Sequence, residues 1–295
     1  MLDILMSIIV AGLTTGALYA LATVGLSLVW GSMGMLNMAH AAMLTLGGYA
    51  AYAATTAMGL PPAIGFLAAI LAGAIAGALL YILIVSHLLK NDKASFESNV
   101  MIATVGIGIA LENAILLVFG GQPLKQPISA EGSLVVGPMT LPYQNMLIIG
   151  VVIALMALMG LLLSRTRMGR AIRATAQNRE AAQLMGVAVN RVYLQVLILS
   201  GALAGVCGVM VSSMTQLSPP LGNDPMLKAF IMCVVAGLGN LPGAVAAAFG
   251  LALLEAFIQF GAGARWGFPA LLFVVIAVLI WRPSGLFGRA QIRRM

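Results

Sequence analysis

Glu255 and Gln259 stand four residues apart in an apolar run, a spacing that puts both on one face of a helix. Glu112 and Asn113 interrupt a second such run, and Asn37 and His40 lie three apart just after Gly31-Ser32-Met33-Gly34. Polar and ionisable groups in apolar surroundings are costly, so they either line a path or gate, or bond to a neighbouring helix. Asn37, His40, Asn240 and Glu255 are the candidates for lining a substrate path. For Glu112 and Glu255 the competing role is an interhelical hydrogen bond or a protonated buried carboxyl. For His40 it is a packed side chain with one satisfied bond. His87, close to Lys90, reads as interfacial.

Catalytic chemistry finds no footing. The chain has no G-x-x-x-x-G-K-[ST] loop, no H-E-x-x-H and no G-x-S-x-G. The expectation is a protein that is not an enzyme, binds no cofactor of its own and holds no metal. Cys207 and Cys233 lie in apolar runs with neither disulfide nor metal-ligand spacing, and the 19 methionines read as flexible gap-fillers.

The setting is a membrane. Of 295 residues, 61% are hydrophobic and 8% charged, with a mean hydropathy of +1.06. Soluble domains carry about 25% charge. Long Ala/Leu/Ile/Gly/Met runs suit helices better than barrel strands. Asp3 stands where a cleavable leader would carry basic residues, so the first apolar run is expected to stay. The net charge of +7 is confined to loops and the tail, which indicates lipid-flanking charge and no nucleic acid partner.

Apolar windows fall near 4–30, 36–57, 63–86, 97–119, 143–163, 193–214, 226–239, 242–261 and 266–281. They predict an all-α, polytopic helical membrane protein, one transmembrane domain over 1–295, with about nine (8–10) spans. If the loop 164–192 faces the cytoplasm, Lys90, Lys93, Arg282, Arg289, Arg293 and Arg294 follow it inside. Twelve of fifteen basic residues then share one side, leaving Lys125, Lys228 and Arg265 outside or at the outer boundary, and the N-terminus external. Residues 120–142, with Pro123, Pro127, Pro138 and Pro142, read as an external surface loop.

The halves echo each other. Thr15-Gly16-Ala17-Leu18 matches Ser200-Gly201-Ala202-Leu203, Asn37 matches Asn223, and Leu60-Pro61 matches Leu241-Pro242. Five intervening spans make this an inverted repeat, the arrangement of transporters that bind near the midplane; chance likeness of Gly/Ala-rich helices is the rival explanation. The window 226–239 is short, and both it and the 31–37 stretch predict interrupted helices. Gly12/Gly16 and Gly73/Gly77 are small-xxx-small pairs that predict close helix packing.

Between two spans, Arg165, Arg167, Arg170, Arg173, Arg179 and Arg191 surround Glu180. Asn178 is placed to cap a short helix, Glu180 sits in its first turn, and Gly186 suits the left-handed position that ends it. Asn190 is placed to cap the next span. A solvated basic loop would not require such capping.

This segment resembles the coupling segment of ABC importer permeases, in its Glu180-Ala181-Ala182 followed by Gly186. The wider chain resembles the permeases of branched-chain amino acid (leucine/isoleucine/valine) ABC importers. The resemblance rests on Gly12-Leu13, Gly16, Tyr19-Ala20-Leu21, Gly31 to His40, Gly47-Gly48-Tyr49, Met168-Gly169-Arg170-Ala171, Arg173-Ala174, Asn178, Gly186 and Gly237 to Gly243. Ala41 departs from the family's glycine after the histidine. The resemblance implies a multi-pass permease of the bacterial inner membrane, with Gly169, Arg170, Arg173, Glu180, Ala181, Ala182 and Gly186 coupling to ATPases. It further implies a second homologous permease subunit, two cytoplasmic ATP-binding subunits that use the ATP, and a periplasmic substrate-binding protein. Relatives that carry urea or short amides share these blocks. An ion-coupled secondary transporter using Glu112 or Glu255 is the alternative mechanism.

Overall fold

A computed structural model describes residues 2–91, 96–130, 132–136 and 139–288. Lys93, Pro138, Arg289, Arg293 and Arg294, which figure in the predicted charge pattern and outer loop, lie outside the described residues. The architecture is helical: α1 (Leu2–Met33), α2 (His40–Tyr52), α3 (Pro62–Leu80), α4 (Ser86–Asn91), α5 (Phe96–Phe119), α6 (Tyr143–Arg165), α7 (Arg167–Gln177), α8 (Arg179–Leu184), α9 (Val189–Met214), α10 (Asn223–Ala236), α11 (Leu241–Ala262) and α12 (Gly267–Trp281). π-helical turns at Ala53–Ala57 and Tyr81–Val85 extend α2 and join α3 to α4.

Seven stretches are long and apolar enough to cross a bilayer: Ile4–Met33, Pro62–Leu89, Phe96–Phe119, Tyr143–Arg165, Val189–Met214, Leu241–Ala262 and Ala264–Trp281. The expected count of about nine is not confirmed. Two of the nine apolar windows fold as the shorter helices α2 and α10, each entered after a break in the chain. The predicted outer loop also holds a small hairpin, β1 (Ser133–Val136) antiparallel to β2 (Met139–Pro142), with Ser133 opposite Pro142. Its first part is pinned to the bundle: Leu124 and Leu217 exchange backbone hydrogen bonds of 2.9 Å, and buried Gln126 donates to the Gly48 carbonyl and to Ser212 Oγ.

The units α1–α2–α3 and α9–α10–α11 follow one plan: long helix, break, short helix, turn, long helix. They run in opposite senses. The end of α1 and the start of α9 line the same cavity, through Met33 and Tyr193 respectively. Their packing is reciprocal. Gly12 and Gly16 of α1 lie against Leu253 and Phe249 of α11, while Gly73 and Gly77 of α3 lie against Gly201 and Leu197 of α9. At the second interface a Cβ on Gly73 would sit 2.0 Å from the Gly201 carbonyl oxygen, and one on Gly201 would sit 2.1 Å from that of Gly73. Only a hydrogen fits there, so the small-xxx-small pairs set the interhelical distance.

The largest core cluster joins α1, α2 and α9 through Leu21, Leu28, Met43, Leu197 and Met210. Leu117, Phe273 and Ile280 point out of the bundle, apolar and exposed, as lipid contact requires.

Candidate functional site: an intramembrane charge cluster and a capped helical hairpin

Lys228 on α10 is the centre of the cluster. Its Nζ lies 3.0 Å from Glu255 Oε1 on α11 and 3.2 Å from Asp224 Oδ2 one turn earlier. It also donates to the Tyr19 hydroxyl on α1 at 2.7 Å, and that hydroxyl donates to Glu255 Oε2 at 3.0 Å. Gln259 Nε2 donates to Glu255 Oε1 at 3.0 Å, so the predicted shared face of Glu255 and Gln259 is a direct hydrogen bond. Glu255 is only 3% exposed, and both its oxygens are occupied. A buried carboxylate keeps its charge only when paired and hydrogen-bonded, and this one is both.

Depth follows from helix length. At 1.5 Å per residue, Tyr19 lies about 21 Å from the end of α1, and Glu255 about 21 Å from the start of α11 and about 10 Å from its other end. A hydrocarbon core of about 30 Å therefore encloses them. Sequence reasoning set Lys228 at an outer boundary and overlooked Tyr19 and Asp224. One local signal existed, the Asp224–Lys228 spacing of four in an apolar run; the other partners are far away in the chain.

The remaining path candidates are placed differently. Asn37 is fully buried at the start of α2, its Oδ1 accepting from Ala39 N at 3.1 Å and its Nδ2 donating to Met43 Sδ at 3.8 Å. His40, also fully buried, fits the notch left by Gly25, with Nδ1 3.5 Å from Ser200 Oγ. Asn240 caps α11 by accepting from Gly243 N at 3.0 Å and donates to the Phe287 carbonyl at 2.7 Å. It borders a cavity of about 1170 Å³ shared with Trp30, Glu97, Arg173 and Tyr193. A smaller cavity of about 410 Å³, lined by Ser27, Met159, Arg173 and Pro242, shares its Gly31–Ser32 and Leu241–Pro242 walls. Glu112 and Asn113 lie on α5, where Asn113 donates to the Ile109 carbonyl at 2.8 Å.

The basic segment forms two helices where the sequence predicted one. Thr166 caps α7 by accepting from Gly169 N at 3.0 Å, and Gly169, Ile172 and Thr175 face inward. Gly169 admits no side chain, since a Cβ would meet the Leu162 and Leu163 carbonyls at 2.3 Å. Arg173 donates to the Leu163 carbonyl, and Arg170 is exposed. Asn178 caps α8 as predicted, accepting from Ala181 N at 2.9 Å. Gly186, at φ +82°, ends α8: its N–H reaches the Gln183 carbonyl and that of Val187 reaches Ala182, both at 3.0 Å. This is a Schellman closure, which requires the left-handed residue. Asn190 is not a cap; α9 starts at Val189 after Ala188 and has no side-chain cap bond.

Glu180 and Ala181 are exposed on α8, while Ala182 is buried against the bundle. Beyond them Leu184 and Met185 stand 89% and 85% exposed. They lie at the end of the bundle where the chain is most basic, and Arg179 is held back over the Tyr193 ring at 5.6 Å.

Residues 8–281 match the family described as "Branched-chain amino acid transport system / permease component". The chain is 30% identical to the high-affinity branched-chain amino acid transport system permease protein BraD of Pseudomonas aeruginosa, over 97% of both chains. It is 28% identical to the corresponding LivH of Escherichia coli over 96% of both. A probable permease LivH of Methanocaldococcus jannaschii is 29% identical, over 92% of this chain and 89% of that one. Breaks, caps and basic hairpin thus lie within one continuous match, and the chain belongs to the branched-chain amino acid transport permease family.

Proposed function

We propose that this chain is the membrane-spanning permease subunit of an ATP-driven importer for amino acids, with branched-chain side chains favoured. It sits in the bacterial inner membrane and pairs with a second homologous permease. Two cytoplasmic ATP-binding subunits grip α7 and α8, and a periplasmic binding protein delivers cargo to the opposite face. The chain passes the bilayer nine times, two passes being made by the broken segments around α2 and α10.

The observation that carries this reading is α8. A six-residue helix capped at both ends presents adjacent Leu184 and Met185 to water. Exposed large apolar side chains on a capped, rigid element suit insertion into a groove on another subunit. Gly169, Arg170, Arg173, Glu180, Ala181, Ala182 and Gly186 set the hairpin's shape and charge. Movement of the ATP-binding subunits shifts the hairpin and, through Arg173 at the cavity wall, the balance between outward and inward access. Glu255 is neutralised by Lys228, which disfavours the ion-coupled alternative, since that needs a carboxylate free to take up a proton or sodium.

Crosslinking from a Met185→Cys variant tests the docking: adducts with an ATP-binding subunit are expected, and adducts with lipid alone would refute it. In reconstituted importer, Gly186→Trp and Glu180→Lys should leave ATP hydrolysis running while uptake falls at least about tenfold, the loss of about 1.4 kcal/mol of coupling. Competition of labelled leucine uptake by urea and by short amides fixes the cargo; displacement by urea but not by isoleucine would reassign it.

A further inference from the structure

The outward face of α10 carries features that helix packing does not explain. Asp224 is 68% exposed, although about 20 Å of helix separates it from the end of α10, which places it inside the hydrocarbon layer. Asn223 beside it is exposed, and Leu227 on the same face is 54% exposed. A carboxylate turned toward acyl chains costs about 2.5–3.5 kcal/mol, so this face requires water.

The charges behind it are unevenly held. Lys228 keeps Glu255 and the Tyr19 hydroxyl as nearly buried partners whether or not it touches Asp224. The charges of Lys228 and Glu255 cancel, so Asp224 presents a net negative charge to the water-filled side, with an ammonium 3.2 Å behind it. A carboxylate and an ammonium at that spacing complement a molecule bearing both charges on neighbouring atoms.

We propose that Asp224 and Lys228 form a zwitterion-exchange site in the translocation path, deepening and resting on the amino-acid permease reading above. A free α-amino acid opens the ion pair: its ammonium takes the Asp224 carboxylate, and its carboxylate takes the exposed side of the Lys228 ammonium. No bond is made or broken, and no proton moves. Leu227 supplies an apolar contact for the side chain one turn along. One ion pair is exchanged for two of similar kind, so binding stays weak, as a path that must release its cargo demands.

The test uses native membranes carrying the full-length chain with Leu227→Cys. Cys207 and Cys233 are buried and give little background. A charged, membrane-impermeant maleimide should label position 227. L-leucine at ten times its dissociation constant should slow labelling about tenfold, following 1 + [L]/Kd. Isopentylamine and 4-methylpentanoate, each lacking one charge, should not slow it, and Asp224→Asn should abolish the leucine effect. Asn223→Cys repeats the experiment should the first variant fold poorly. Labelling only by a lipid-soluble maleimide, or by neither reagent, would mean that acyl chains or a second permease cover the face, and would overturn the site. Equal protection by either single-charge compound would also overturn it. ATP-dependent leucine uptake by the unmodified protein is measured in parallel. Intact uptake without protection refutes this site alone, whereas absent uptake refutes the permease reading on which it rests.

Discussion

The two units of the inverted plan break at equivalent places and treat the break in opposite ways. In α1–α3 the break is sealed and neutral. Asn37 folds back on Ala39 and Met43, and His40 is enclosed by Gly25 and Ser200, both side chains being fully buried. In α9–α11 the break opens onto charge, with Lys228 between buried Glu255 and exposed Asp224. The two breaks touch, since Gly222 N donates to Thr45 Oγ1 of α2 at 3.0 Å. A broken helix needs partners for its freed backbone groups, and neutral side chains meet that need cheaply. Charge at the second break goes beyond it and marks a place where function outweighs stability.

The sharpest way to break this comparison is to remove Lys228. Lys228→Met leaves the Glu255 carboxylate buried without its cation, at a cost of about 3–5 kcal/mol. Thermal unfolding in detergent should show a large loss, and uptake should vanish. Adding Glu255→Gln removes the stranded charge, so the double variant should recover most of the stability while uptake stays absent. A double variant as unstable as the single one would show that the pair is structural packing and the contrast between the breaks false.

A second, smaller effect separates the two reciprocal interfaces. Gly73→Val or Gly201→Val drives a side chain into the opposing backbone and should cost about 1–3 kcal/mol or more, because neither carbonyl can move aside. Gly16→Ala instead meets Phe249 Cδ1 at 2.8 Å, the end of a ring that can rotate, although the Phe249 backbone at 3.1 Å still resists. It should be the milder change. Gly250 has open space around it, so Gly250→Ala should stabilise by about 0.5–1 kcal/mol through helix propensity. Folded yields in the order Gly250→Ala, Gly16→Ala, Gly73→Val sustain the ranking; any other order breaks it.

What was legible in the sequence follows the range of the interactions. The apolar runs located the helices, because burial in lipid is a property of each run by itself. Asn178, Gly186 and the Glu255–Gln259 contact were legible because each closes within one or two turns. The glycine pairs announced close packing, though not which helix would approach. Lys228 was misplaced because its meaning depends on Tyr19, 209 positions earlier in the chain, and on Glu255. The span count failed by length alone: α2 and α10 are as apolar as their neighbours, yet the chain turns before either becomes a full crossing helix. Helix α7 was hidden because alternating arginines read as loop charge, whereas Ile172 and Thr175 turn inward from the same segment.

The smallest predicted effect tests whether the first break is architecture. Ser200 Oγ donates to the Gly25 carbonyl at 2.8 Å and approaches His40 Nδ1 at 3.5 Å, tying α9, α1 and α2 together. Ser200→Ala removes one buried neutral hydrogen bond and should cost about 1 kcal/mol. The Gly25 carbonyl lies within α1 and retains its helical partner, so no acceptor is orphaned. Unfolding in detergent should shift slightly, and leucine uptake per folded molecule should be unchanged, because a sealed break holds the helices and touches no cargo. A fall in uptake at constant folded amount would put function at both breaks and remove the asymmetry between them.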